Sequence, residues 1–419
     1  MVEASSHKFD VIVVGAGPAG CSCAAHLSKA GRRVLLLDRE HFPRDKVCGD
    51  GISGKNIGLL DELGLINEIE LTPHRDITGF TFSSPDGSVV EIPLPEKEGK
   101  ISHGYGIQRK LFDDILFRNA KRLSAMTIEG ITVVDLIKAS DGDHEKVMGV
   151  VGRTREGKEE FYADVVVGAD GAGSTVAMSV GARRFDLEHL GAGLRCYYRG
   201  VAGLKDNIEL HFFDEFKPGY LWVFPLADGY SNVGVAMVVG DIRSRKVKLK
   251  DALFRAIEEN PVIKDRFKDS TMVPGTLKGG MMPFGSNRRK AHGSGWLLVG
   301  DAASLVDPFT GEGIGNALYS GKLAAEAIME AFERSDFSEA QLSGYEHALE
   351  EAFDQELINS YRMQKRAESR FLLNLFIRKA SRSQEVRDLM LRTLTDSKSR
   401  ESYTSWLTYL RILLTPPYW

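Results

Sequence analysis

Apolar positions follow two rhythms along this chain. The stretch "FDVIVVGAGPAGCSCAAHLSKAGRRVLLLDRE" opens on a nearly unbroken apolar run, crosses a glycine turn, takes up helical spacing and returns to an apolar run that stops at Asp38. Runs of this kind predict strands buried on both faces, and the helical segment between them completes a βαβ unit. From Ile77 to Leu94 the pattern alternates about "PDG", which predicts a hairpin, and "IQRKLFDDILFRNAKRL" then reverts to helix. A meander runs from Ile131 through "REGK" to "ADVVVGADG". Between about Arg184 and Gly240, "GLRCYYRGV", "NIELHFFD", "YLWVFPLA" and "NVGVAMVV" predict an antiparallel sheet. The segment "GWLLVGDAASLVDPFTGEGIGNALYSGKLAAEAIMEAFE" predicts a buried strand, a glycine-rich turn and a long helix starting at Ile314, and everything beyond about Glu330 reads as helical.

These elements make an α/β fold. A Rossmann-type lobe is expected from 1–76, 101–183 and 291–330, an antiparallel-sheet lobe from 77–100 and 184–290, and a helical C-terminal region over 331–419. At 419 residues and 43% hydrophobic, the chain can bury more than one core. No uncharged apolar run approaches the roughly 20 residues that span a bilayer, and the polar start has no signal-peptide core, so an intracellular, cytoplasmic protein is expected. Four cysteines without a C-x-x-C pair predict free thiols and no structural metal site. A net charge of -4 argues against nucleic acid, although residues 361–419 carry 12 Lys and Arg against 5 Asp and Glu. That basic tail, with aromatic residues near its end, predicts either a helical cap packed on the enzyme or a peripheral contact with the inner face of a membrane.

Gly15, Gly17 and Gly20 form G-x-G-x-x-G between a strand and a helix, and Asp38 ends the next strand. In that context the glycines permit a tight turn, close approach of a pyrophosphate and close helix packing, while the carboxylate takes a ribose. The second glycine segment decides between dinucleotides. Asp301 ends a strand where ribityl hydroxyls need a carboxylate, and Gly311 and Gly313 precede a helix whose N-terminus suits the electron-rich end of a flavin. FAD is therefore the expected cofactor. Cys48 follows Arg44 and Lys46, a basic setting expected to lower its thiol pKa and suited to a proton donor or redox partner; a small packing residue is the plainer reading. Arg109 reads as a flavin contact or as a solvated helix charge. Tyr220, Trp222 and Phe224 alternate on one strand face, which serves a core or lines a channel for an apolar chain. His211 is given no role, and Ser-His-Asp chemistry lacks its G-x-S-x-G turn.

The motifs "GAGPAG" with "LLLDR", the "ADG" of Ala169 to Gly171 followed by Ser174, and "GDAASLVDPFTGEGIGNAL" resemble the FAD-dependent enzymes of the para-hydroxybenzoate hydroxylase fold over about residues 8 to 330. Within that group "FPRDKVCGDGISG", "GIQRKLFDDIL" and "GYLWVFP" are similar to the geranylgeranyl reductase family, which saturates isoprenoid double bonds with reduced FAD. The resemblance implies FAD contacts at Gly15, Gly17, Pro18, Ala19, Gly20, Asp38, Arg39 and Arg44, at Cys48, Gly49 and Gly51, at Arg109, Val133 and Asp170, and at Asp301, Gly311, Gly313 and Ile314. It implies catalytic roles for Cys48, Tyr220 and Trp222, with Tyr220 relaying a proton, and a substrate wall of Tyr220, Trp222, Phe224 and Pro225. An isoprenoid or prenyl lipid is the implied substrate, and a ferredoxin, NADPH or a quinol system the implied electron donor. Two positions depart from the family pattern: the expected second-strand G-x-G reads Gly234-Val235-Ala236, and Pro218 stands one residue closer to the tyrosine. The competing readings are an FAD monooxygenase or halogenase acting on an aromatic compound, and a flavin-binding regulator without turnover. The absence of W-x-W-x-I-P and of an arginine after "DG" weighs against the first.

Overall fold

The computed structural model describes residues 8–97, 100–101, 103–141, 144–182 and 185–395; the end of the basic tail, 396–419, lies outside them. The first apolar run forms β1 (Lys8–Val14), followed by α1 (Pro18–Lys29) and β2 (Val34–Leu37). The "PDG" hairpin forms β3 (Gly79–Ser83) and β4 (Val89–Pro93), after which come α2 (Arg109–Arg122) and β5 (Met126–Ile128). The meander forms β6 (Thr132–Asp141), β7 (His144–Arg153) and β8 (Lys158–Gly168). The strand-rich middle supplies β9 (Leu190–Arg199), β10 (Asn207–His211), β11 (Tyr220–Pro225) and β12 (Tyr230–Val238), then α3 (Leu249–Glu259) and β13 (Lys278–Pro283). β14 (Trp296–Leu298) precedes α4 (Ile314–Arg334), which starts where the sequence predicts. α5 (Glu339–Leu349) passes through a π-helical turn into α6 (Gln355–Arg366), with α7 (Arg370–Ala380) and α8 (Gln384–Thr395) beyond.

One sheet has the order β5-β2-β1-β8-β7-β6, with β14 paired to β8. It is parallel from β5 to β8 and between β8 and β14, and antiparallel where the meander joins. Register aligns the strand ends: Val14 pairs with Leu37 and with Gly168, and Gly168 pairs with Leu298. The segments that follow these residues, Gly15–Gly17, Asp38, Ala169–Gly171 and Val299–Asp301, therefore leave one edge of the sheet together. That is the edge where doubly wound sheets bind ligands.

The second sheet departs from the expected all-antiparallel arrangement. β9, β12, β11 and β10 are antiparallel neighbours, but β10 pairs with β3 in parallel. The hairpin enters from a distant part of the chain by a crossover and takes the free edge of β10. The two faces of β11 separate cleanly. Leu221 and Val223 pack with Val233, Val235 and Leu253 of α3, while Tyr220 and Trp222 face Phe82, Leu210 and Phe212 and, from α7 and α8, Ile377, Ala380 and Val386. The described part of the tail is thus a helical cap on the aromatic face; Arg378 of α7 pairs with Asp86 of the hairpin turn.

His211 is buried, bonded through Nδ1 to Ser83 Oγ at 2.8 Å and through Nε2 to Glu209 at 3.2 Å. The array has the order of a hydrolytic triad, but Ser83 is fully buried, and Glu209 also holds Arg266 through both carboxylate oxygens. It braces the sheet. Burial pushes the Glu209 carboxyl up, and Arg266 and His211 outweigh that effect, so its pKa lies below the ordinary value. A lowered folded-state pKa stabilises the fold at neutral pH, and the contribution is lost on acidification through that lowered value. Glu209→Gln is expected to cost about 2–3 kcal/mol in denaturant unfolding at pH 7 with FAD content unchanged; an unaltered midpoint would contradict the bracing role.

Candidate active site

The three glycines of the first turn meet different constraints. A Cβ on Gly20 would lie 1.9 Å from Gly15 O, and one on Gly15, whose φ is +103°, would lie 2.4 Å from Ala169 O, so both are required by the protein itself. A Cβ on Gly17 would meet only the end of Arg44 at 3.9 Å. Nothing in the protein excludes a side chain there; a group bound in the cavity would. Gly17 is also the N-cap of α1, and no side chain caps that end.

A cavity of about 310 Å³ opens at this point, lined by Gly15, Gly17, Pro18 and Ala19 and by Asp38, Arg39 and Arg44. Its middle is formed by Cys48, Gly49, Arg109, Val133 and Asp170, and its opposite side by Asp301, Gly311, Gly313 and Ile314. Residues spread over 300 positions of sequence therefore share one wall. Gly313 is the N-cap of α4, again without a side-chain cap, so two helix N-termini face the same space. Trp222, Met281 and Met282 line it too, with Gly193 and Gly280.

Asp38 is buried and accepts Ala16 N–H at 2.7 Å and Glu40 N–H at 2.9 Å, which fixes its carboxylate at the cavity edge. The Asp301 carboxylate makes no hydrogen bond among the described residues. Burial pushes its pKa up, and the charges of Lys46 and Arg109 pull the other way. An open carboxylate in that position suits ribityl hydroxyls. Together with the unfilled space at Gly17 and the two uncapped helix ends, it fits FAD: α1 toward the pyrophosphate, Asp38 toward the adenosine ribose, Asp301 and the start of α4 toward the flavin half.

Arg109 is buried rather than solvated. Its guanidinium bonds both oxygens of Asp113, at 2.6 and 2.8 Å, and Asp113 also takes Arg44. The i,i+4 spacing of Arg109 and Asp113 is the signal in the sequence that would have located this pair. Cys48 reverses its expected shift. Burial pushes the thiol up despite the Arg109 guanidinium beside it, and Arg44, one of the basic neighbours that suggested lowering, is engaged by Asp113. The thiol stays protonated at neutral pH.

Asp170 lines the cavity but commits its oxygens to Ser174 and to the N–H groups of Thr175 and Val176, so it shapes the turn rather than leaving acceptors free. Gly20 and Gly51 stand behind the wall: Gly20 packs on Gly15, and a Cβ on Gly51 would meet Ile208 and Phe224. Trp222 reaches the cavity, its ring lying against Gly234 and its Nε1 donating to Asn232 at 2.8 Å. Tyr220, Phe224 and Pro225 do not line it. Tyr220 donates its hydroxyl to Thr310 O at 2.5 Å and so holds the turn before α4, and Phe224 packs over Gly49. A second cavity, about 580 Å³, lies by Lys138, Lys290 and Trp296. Its lysines are neutralised by Glu145 and Glu339, and it shares none of the groups above.

The chain is similar in sequence and fold to FAD-dependent proteins. The FAD binding domain family matches residues 8–193. A menaquinone reductase of Mycobacterium tuberculosis is 33% identical over 328 residues, 76% of each chain. A digeranylgeranylglycerophospholipid reductase of Methanopyrus kandleri is 32% identical over 83% of each chain. Among solved structures, a geranylgeranyl bacteriochlorophyll reductase-like protein of Thermoplasma acidophilum superposes with TM-score 0.80 at 25% identity, covering 94% of this chain and 98% of its own. A flavin-dependent brominase superposes at 0.77 with 21% identity, covering 96% and 99%, which is a likeness of fold.

Gly17→Val should leave the apo fold intact and weaken FAD binding by about 100-fold, roughly 3 kcal/mol, whereas Gly20→Ala should fail to fold. Fluorescence titration with FAD and thermal unfolding separate the two outcomes; equal behaviour of both variants would contradict the assignment of Gly17 to the ligand.

Proposed function

This chain belongs to the geranylgeranyl reductase family of FAD-dependent oxidoreductases, and from that premise we propose that it saturates carbon-carbon double bonds in the isoprenoid chain of a lipid or quinone. One observation carries the reading: the cavity that holds the open nucleotide-binding groups is also lined by Trp222 and Met282, and both belong to the apolar cluster beneath α7 and α8. A polar cofactor half and an apolar chain can then meet in one space.

Reduced FAD, when bound, supplies the hydride. The second hydrogen is a proton, and we assign it to the Cys48 thiol, a reading supported by the burial that keeps the sulfur protonated and by the Arg109 charge that would stabilise the thiolate. Adding a proton to a trisubstituted alkene builds positive charge on carbon, and the face of the Trp222 indole offsets that charge while excluding water. Tyr220 has its proton engaged by a backbone carbonyl, and burial followed by the Asp307 charge pushes its pKa up. It supports the Thr310 turn in place of the relay expected from sequence.

The substrate's reach also favours a peripheral membrane contact. No helix among the described residues is long and apolar enough to cross a membrane, while α7 presents Phe371, 68% exposed, beside Arg370, 59% exposed at its side chain. Flotation of the full chain with anionic vesicles at low salt, and release at about 0.5 M salt, is the expected behaviour; absence of flotation at any ionic strength removes the contact.

Incubated anaerobically after chemical reduction, the holoenzyme should add two hydrogens per double bond to menaquinone or to a geranylgeranylated glycerolipid, read by mass spectrometry. Trp222→Ala should slow this about 10- to 100-fold, roughly 1.4–2.7 kcal/mol of barrier, without loss of FAD. No hydrogen gain, with NADPH consumed in air on addition of an aromatic compound, would move the chain to the hydroxylases and halogenases that share its fold.

A further inference from the structure

Behind the cavity wall lies a carboxylate that no motif singles out. Asp50 is fully buried between Gly49 and Gly51, with φ at +65°. Its Oδ1 accepts the backbone N–H of Arg109, the first residue of α2, at 3.1 Å. Its Oδ2 accepts the Tyr197 hydroxyl of β9 at 2.7 Å and the Asn232 amide of β12 at 2.8 Å. Asn232 faces both ways: its Nδ2 also donates to Cys48 O at 2.7 Å, and its Oδ1 accepts the Trp222 indole N–H at 2.8 Å. The charges of Asp50 and Arg109 both act on the Cys48 thiol, the first raising its pKa and the second lowering it. One side chain thus joins the nucleotide-binding lobe, the Cys48 turn and the second sheet, and both residues assigned to the chemistry hang from it.

The junction has a required charge state. Three donors surround two carboxylate oxygens. A protonated acid would bring a fourth hydrogen and an amide would bring two; the Tyr197 oxygen can accept one only if its own O–H turns away from Asp50, so either change breaks a link. We propose that Asp50 is a positioning residue for alkene reduction: its ionised carboxylate holds the Cys48 turn and the Trp222 indole in one register, and its protonation releases them. This rests on the isoprenoid reading for the substrate and for the roles of Cys48 and Trp222, while the junction itself stands on its hydrogen bonds.

Burial raises the Asp50 pKa to about 6, opposed in turn by Tyr197, Asn232, Arg195 and the Arg109 N–H. The charged or titratable groups around it are Arg109 and Asp113 on α2, Arg195 and Tyr197 on β9, and Cys48 on its own turn; β12 contributes only the neutral Asn232. A raised folded-state pKa places the loss of register on the acid side, within the range of ordinary assays.

The test uses the FAD-loaded full chain as wild type, Asp50→Asn and Tyr197→Phe. Asparagine is isosteric and tolerates positive φ, so Asp50→Asn keeps the turn. For each, kcat and KM for prenyl reduction and the visible flavin absorbance are followed between about pH 5 and 8. The wild type should lose kcat below about pH 6, approaching tenfold per unit, with a flavin band that titrates at the same midpoint. Asp50→Asn should retain FAD and KM, lose about 10- to 100-fold in kcat at pH 7.5, and show neither acid limb nor band titration. Tyr197→Phe should shift both upward by about one unit, because the carboxylate loses one of three donated hydrogen bonds. If the wild type turns over no prenyl compound but the band titration is present and disappears in Asp50→Asn, the junction stands and the substrate reading falls. Wild-type kcat and acid limb in Asp50→Asn, or an unmoved midpoint in Tyr197→Phe, would overturn the proposal.

Discussion

Two helix N-termini without side-chain caps open into one cavity, and the rest of the molecule is arranged around it. α1 and α4 converge because they pack closely: a Cβ on Gly321 would lie 2.3 Å from Ala19 O, and Ser22 Oγ donates to Leu318 O at 2.7 Å. Parallel register then sets the end of α1 level with Asp38, Ala169 and Val299. The positive ends of two dipoles favour a ligand with negative charge at two places, a diphosphate and a reduced flavin ring. The buried Asp301 carboxylate stays open beside them, with no hydrogen bond among the described residues.

The second sheet answers a different demand, an apolar side to the cavity. Core packing and substrate lining are not alternatives for its aromatic row. Trp222 is 7% exposed, fixed by Asn232 and by contact with Gly234, and still lines the cavity. Its neighbours Tyr220 and Phe224 spend their contacts on the Thr310 turn and on Gly49. One ring lines the cavity and two pack beside it. The family pattern of a second-strand G-x-G is kept only where it matters for that ring, at Gly234; Ala236 pairs with Tyr220, where a methyl group fits.

Local periodicity carried most of the architecture into the sequence. The βαβ unit, the hairpin, the meander and the start of α4 at Ile314 all follow from patterns a few residues long. What escaped depends on contacts across the chain. Asp50 looks like a turn residue until Tyr197 and Asn232, 147 and 182 positions away, are brought to it. The thiol shift of Cys48 reads wrongly from Arg44 and Lys46 because the sequence shows their charges and not their partners; Asp113 takes the first, Asp301 faces the second, and burial decides the sign. The parallel pairing of β3 with β10 was hidden for the same reason, since a crossover leaves no local trace.

The most direct test of the central claim is anaerobic stopped-flow mixing of the reduced holoenzyme with a prenyl substrate. The account predicts that the flavin absorbance returns only when the isoprenoid is present, one flavin oxidised for each double bond saturated. Flavin that stays reduced against every prenyl lipid, yet reoxidises rapidly with oxygen while an aromatic compound is hydroxylated or halogenated, would contradict it.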